Sequence, residues 1–80
     1  QHLRGEQAAA LPLLTRAAEK LPDLGAVQFH LGMVQKAVGQ DALAAATLEK
    51  SIRLAPEPRA PYVTSAAAAI AQIKNAPTAD

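Results

Sequence analysis

The chain contains no cysteine and no tryptophan, and Phe29 and Tyr62 are its two aromatic residues. Without cysteine there is no disulfide framework, thiolate nucleophile or cysteine-based zinc site, and cysteine content does not distinguish an oxidising from a reducing compartment. Eight basic and seven acidic side chains leave a net charge of +1, which is too small for electrostatic binding to nucleic acid or to an anionic membrane. No apolar run reaches the roughly 18 residues of a membrane-spanning helix, so direct membrane insertion is not expected.

The sequence has few side chains that could carry catalysis. His30 and His2 have no second ligand at a spacing that one helix face would hold, and the serines and threonines have no histidine beside them. The four glycines stand singly, so there is no phosphate-binding loop. The sequence therefore predicts no enzyme activity, no metal site and no cofactor.

Half of the 80 residues are apolar, and a large share of these are alanines. Alanine is the best helix former and has little bulk, so the composition favours closely packed helices over a sheet. A chain of this length forms a single domain, here residues 1–80.

An internal repeat becomes visible when residues 5–22 are aligned with residues 39–56, an offset of 34. The pairs that match at this offset are Gly5 with Gly39, Ala8 with Ala42, Ala10 with Ala44, Leu14 with Leu48, and Pro22 with Pro56. We therefore interpret residues 1–22 as the second half of a truncated unit and residues 23–56 as a complete unit. Residues 57–80 then form a C-terminal capping helix and tail. Because the chain starts at Gln1 within a unit, we expect it to be the end of a longer array.

The complete unit has the pattern of a helical hairpin. Apolar residues recur at spacings of three and four from Ala26 to Val38, which indicates an amphipathic helix, and Gly39 ends it. A second helix is predicted from Asp41 to about Leu54, and Pro56 stops it. The short connection makes the two helices antiparallel.

The flanking segments are each predicted to add one helix. The first runs from about Glu6 to Lys20, with either a bend near Pro12 or a regular part that begins at Leu11, and Gln1 to Arg4 would belong to a preceding helix. The last runs from Pro61 to Asn75, followed by a frayed end over residues 76–80.

A 34-residue unit of two helices with small residues at fixed offsets resembles the tetratricopeptide repeat. The matching positions are Leu31, Gly32, Gly39, Ala44, Leu48 and Pro56. Gln28, Gln35 and Ser51 depart from the pattern, which usually has two large apolar or aromatic residues and an alanine there. The resemblance implies an all-α fold in which about four helices, arranged as antiparallel hairpins, stack into a short right-handed superhelix. It also implies a non-catalytic role in binding other proteins.

A narrower resemblance concerns the stretch VQFHLG and the segment LEKSIRLAP. These are similar to the C-terminal repeats of long bacterial tetratricopeptide proteins of the cell envelope. This resemblance implies a bacterial protein and slightly favours the envelope or periplasm over the cytoplasm.

In such arrays the first helix of each unit lines a concave groove, and the resemblance implies a groove for a protein or peptide partner. Its residues here would be Ala26, Phe29, Met33, Lys36, Val63 and Ala67. An apolar groove suits an amphipathic helix or an extended hydrophobic segment. The alternative is that Phe29 and Met33 are core residues packed against the last helix.

The truncated first unit suggests a second surface. Without its partner helix, Leu3, Leu11 and Leu14 are expected to be exposed, and either upstream repeats or a second copy of the chain would cover them. The alternative function is therefore a purely structural cap or dimerisation segment of a longer array. The basic residues are scattered, so no nucleic-acid partner is expected.

Overall fold

The computed structural model describes residues 2–56 and 60–75, with side chains described from residue 8 onward. Within these ranges the chain forms four helices and no strand, which confirms the predicted all-α class. The helices are α1 (His2–Lys20), α2 (Gly25–Ala37), α3 (Asp41–Arg53) and α4 (Pro61–Asn75).

Helix α1 is one continuous helix of 19 residues that passes through Pro12. The prediction that the regular part begins at Leu11 is therefore wrong, as is the assignment of residues 2–4 to a different helix. Pro12 removes one backbone donor and crowds the carbonyl of Ala8, but good helix formers surround it on both sides. Gln1 lies outside the described residues.

The connection between α2 and α3 has a glycine in the left-handed region. Gly39 has φ 91°, and its amide donates to the carbonyl of Lys36 at 3.1 Å, while the amide of Gln40 donates to the carbonyl of Gln35 at 2.8 Å. This pair of hydrogen bonds is the Schellman motif, which satisfies the last carbonyls of a helix. The predicted helix end at Gly39 is thus explained by its backbone conformation.

The helices pack mainly against their neighbours in sequence. Helix α2 has its largest interface with α3 and a smaller one with α1, while α4 packs on α3 and touches α2. Among the described residues, α1 contacts no helix other than α2. The central cluster consists of Leu48, Ala66 and Ala69, and the half-buried residues packed around it are Phe29, Met33, Ile52, Ile70 and Ile73.

The C-terminal helix spans the residues that the sequence predicted. It begins at Pro61, whose missing amide hydrogen costs nothing in the first turn, and it ends at Asn75. The predicted frayed end at residues 76–80 lies outside the described residues, as do residues 57–59. Helix α3 ends at Arg53, with Leu54 as its C-cap, so Pro56 follows the helix rather than ending it directly.

Candidate partner-binding surface

Helix α2 presents one stripe of residues that no other helix fully covers. His30 and Ala37 are exposed, and Ala26 and Met33 are half-buried. The spacings of four, three and four residues place these side chains on one face of the helix. The sequence analysis placed Phe29 and Lys36 on this face and did not include His30. A spacing of four residues after Ala26 would have indicated His30.

Phe29 and Met33 have two environments each. Both pack against the cluster of Leu48, Ala66 and Ala69, yet both remain half-buried. The ring of Phe29 stacks on that of Tyr62 in α4 with centroids 5.5 Å apart and an angle of 28°. The packing described by the core alternative therefore exists, and it leaves part of each side chain accessible to a partner.

The remaining predicted groove residues also keep some exposure. Lys36 and Val63 are half-buried, and Ala67 is exposed. The structure brings α2 and α4 together through Phe29 and Tyr62. None of the six groove residues is fully buried, so the assignment of a groove to them stays a prediction.

The residues that carried the repeat resemblance fall into two groups. Gly32 is buried, as are Leu31 at 7%, Ala44 at 0% and Leu48 at 0% exposure. Gly39 and Pro56 are exposed because they lie in the connections between helices. The sequence predicted Gly39 at the turn and Pro56 after the second helix, and Gly39 has the backbone conformation that a turn glycine provides.

The three departures from the repeat pattern are all buried: Gln28 at 4%, Gln35 at 8% and Ser51 at 0% exposure. Gln28 donates its Nε2 to the carbonyl of Pro22 at 3.2 Å, and Ser51 donates its hydroxyl to the carbonyl of Leu48 at 2.6 Å. Gln35 Oε1 has no hydrogen-bond partner among the described residues. Gln28 and Ser51 thus form hydrogen bonds at their core positions, whereas Gln35 lowers stability, because a buried acceptor without a partner is unfavourable.

Tyr62 reaches the start of α2, where Gly25 leaves room for it. A β-carbon at Gly25 would collide with the Tyr62 hydroxyl and lie 3.1 Å from the carbonyl oxygen of Ser51. The Tyr62 hydroxyl is buried, with no hydrogen-bond partner in the described part of the chain. Gly25 thus allows α2, α3 and α4 to meet at one point.

Large apolar side chains are exposed at four positions: Leu13 at 68%, Leu21 at 52%, Leu24 at 48% and Leu43 at 57%. Leu11 and Leu14, predicted to be exposed, are half-buried, and the side chain of Leu3 lies outside the described residues. Among the α1 leucines whose side chains are described, Leu13 is therefore the exposed one. Sequence reasoning missed it because the pattern does not show which side of α1 faces α2.

Two open depressions of about 380 Å³ each lie beside α1. One is lined by Lys20, Leu21, Pro22, Asp23 and Leu24, and the other by Leu11, Pro12, Thr15, Arg16 and Glu19. Over residues 8–56 and 60–75, whose side chains are described, no group of three His, Asp or Glu side chains could hold a metal ion. Among the helices of residues 2–56 and 60–75, none has the length and apolar character needed to cross a membrane.

No protein-family model, curated protein or solved structure matches the chain.

Proposed function

We propose that this chain is a non-catalytic protein-interaction module built from helical repeats of the tetratricopeptide type. The observation that carries the proposal is the contact between Gly32 and Leu48, at the positions where the 34-residue offset and the resemblance require a small and a large residue. A β-carbon at Gly32 would lie 2.6 Å from Leu48 Cγ, so the absence of a side chain is what lets α2 and α3 approach.

The order of helix contacts supports this proposal. A repeat array buries each unit against its neighbours in sequence, so long-range contacts between distant helices are absent. Helix α1 packs on α2 alone among the described helices, and α4 packs on α3 and α2. The same order is expected for the second half of one unit, a complete unit and the first helix of the next.

The partner would bind across the outer face of α2 beside α4. Met33, Ala26 and Phe29 present apolar surface there, and His30 and Lys36 supply polar groups at its edges. Methionine adapts its shape to different apolar partners, which suits a surface that receives an amphipathic helix or an extended hydrophobic segment.

Selection of peptides from a random display library against the immobilised chain would test this function, with affinities then measured by calorimetry. We expect Met33→Ala to lower the affinity for the selected peptides by about tenfold, as for a partly buried interface residue. Leu43→Ala is the matched control, since it removes an exposed apolar side chain from α3 and should leave the affinity unchanged. If peptides bind equally well to the Met33→Ala variant, the groove assignment is wrong.

A second candidate, a structural cap of a longer array, is favoured by the outer face of α4. The exposed residues of this face are small or polar: Thr64, Ser65, Ala68, Ala71 and Gln72. Terminal units of repeat arrays require such a face for solubility. Failure of the library to yield any peptide specific for α2 would favour the cap over the groove.

A further inference from the structure

Helix α1 has an incompletely covered face whose counterpart in α3 is fully covered. At the 34-residue offset, Ala44, Leu48 and Ser51 correspond to Ala10, Leu14 and Ala17, and Thr47 corresponds to Leu13. The three α3 residues are each at 0% exposure. Their three counterparts in α1 are only half-buried, and Leu13 is 68% exposed.

The difference follows from the number of neighbours that each helix has. Helix α3 lies between α2, which precedes it, and α4, which follows it. Helix α1 contacts only α2, the helix that follows it, among the described helices. Helix α2 covers α3 from the preceding position in the chain, and among the described helices α1 has none in the corresponding position. The missing neighbour of α1 is therefore the equivalent of α2.

The contact between α2 and α3 also defines the chemistry of that missing neighbour. Leu48 lies so close to Gly32 that a β-carbon would be 2.7 Å from Leu48 Cδ2 and 3.3 Å from the Leu48 amide nitrogen. Leu14 is the counterpart of Leu48, so a helix docked on it in the same way must present glycine or alanine at that point. Larger side chains would hold the helices apart.

We infer that the face of α1 formed by Ala10, Leu13, Leu14 and Ala17 is a docking surface for an amphipathic helix of α2-like chemistry, with a glycine or alanine opposite Leu14. The inference rests on the repeat relationship in the proposed function and does not depend on the α2 groove.

A second copy of the chain is a poorer occupant. Its own Gly32 is already buried against Leu48, so the matching face of its α2 is not free. The outer face of its α4 offers Ser65, Ala68 and Gln72, which provide no large apolar side chain to cover Leu13. The occupant is therefore an amphipathic helix of another polypeptide, and the test supplies such a helix as a synthetic peptide.

The probe is a peptide with the sequence of residues 23–40, titrated into the isotope-labelled 80-residue chain and followed by NMR. We expect saturable shift changes at Ala10, Leu13, Leu14 and Ala17, with little change along α3. A peptide with Gly32→Val should bind about tenfold more weakly. The chain variant Leu13→Ser should also weaken binding, and it leaves the fold intact because Leu13 is largely exposed.

Several outcomes would overturn the inference. These are absence of binding at about 1 mM peptide, equal binding of the Gly32→Val peptide, or shifts along α3 that show exchange with the chain's own α2. Sedimentation that shows the chain dimerising through Leu13 would assign the face to a second copy instead. Loss of binding of the library peptides in the Met33→Ala variant tests the α2 groove alone. The groove proposal and the α1 docking proposal can therefore be refuted independently.

Discussion

Gly32 of α2 lies directly against Leu48 of α3. A β-carbon on Gly32 would lie 2.6 Å from Cγ and 2.7 Å from Cδ2 of Leu48, whose side chain has no exposed surface. Because Leu48 also packs on Ala66 and Ala69 of α4, it has no free space into which it could move. One contact therefore links the positions of three helices.

The first prediction is that Gly32→Ala destabilises the chain. Overpacking a core costs about 1–3 kcal/mol, while replacing glycine by alanine in a helix gains about 1 kcal/mol. We expect a net loss of up to about 2 kcal/mol in the free energy of unfolding, measured by urea denaturation. Ala46→Gly, at an exposed position of α3, measures the propensity contribution by itself. A Gly32→Ala variant more stable than the wild type would contradict the close contact.

Much of the helical framework could be predicted from the sequence because its signals are local. Pro61 and Asn75 were predicted as the ends of the last helix, and the structure has them there. Gly39 was predicted as a helix end, and its positive φ supplies the reason. The first helix was predicted from about Glu6, but it begins at His2. The alternative of a regular part that begins at Leu11 was wrong because propensity rules penalise Pro12 without weighing the strong helix formers on both sides.

The surface was less predictable, because exposure depends on which side of each helix meets a neighbour. Gln28 and Gln35 are polar, and a hydrophobicity pattern places them outside, yet both are buried. Leu13 and Leu43 are apolar, and the same pattern places them inside, yet both are exposed. The orientation of a helix about its axis is set by tertiary packing, and local periodicity does not determine it in helices this rich in alanine.

The second prediction concerns Gly39, where conformation rather than space is limiting. No atom lies within 4 Å of the position that a β-carbon would take, but φ is 91°. Gly39→Ala should therefore cost about 1–2 kcal/mol through backbone strain alone. Gly39→Asn should cost less, since asparagine tolerates the left-handed region better. Thermal unfolding of the two variants checks the order, and an alanine variant as stable as the asparagine variant would refute it.

The third prediction compares two buried glutamines of α2. Gln35 Oε1 has no partner among the described residues, so Gln35→Met should raise the free energy of unfolding by about 1–2 kcal/mol. Gln28→Met is the matched control, because it removes the hydrogen bond to the Pro22 carbonyl and should lower stability by about 0.5–1.5 kcal/mol. Urea denaturation of both variants would show opposite signs. Changes of the same sign in the free energy of unfolding would mean that the side-chain amides of Gln28 and Gln35 do not differ in hydrogen bonding.

The fourth prediction is a coupling between Gly25 and Tyr62. The Tyr62 hydroxyl is buried without a partner in the described residues, so Tyr62→Phe should be neutral or stabilising by about 1–3 kcal/mol. Gly25→Ala alone should be destabilising, because the new methyl group would collide with that hydroxyl. In the Tyr62→Phe background the collision with oxygen disappears, although Cζ still lies 3.2 Å away, so the cost of Gly25→Ala should fall.

A double-mutant cycle measured by urea denaturation gives this coupling directly. We expect an interaction energy of about 0.5–3 kcal/mol, the range for residues in contact. The same cycle between Gly25→Ala and Leu43→Ala serves as the control, since Leu43 is 57% exposed in α3 and the atoms nearest to a β-carbon at Gly25 belong to Tyr62 and Ser51. If the first cycle were as additive as the control, Gly25 would not be retained to make room for the Tyr62 hydroxyl. The glycine would then be a matter of helix initiation alone, and α4 would not depend on it for its position.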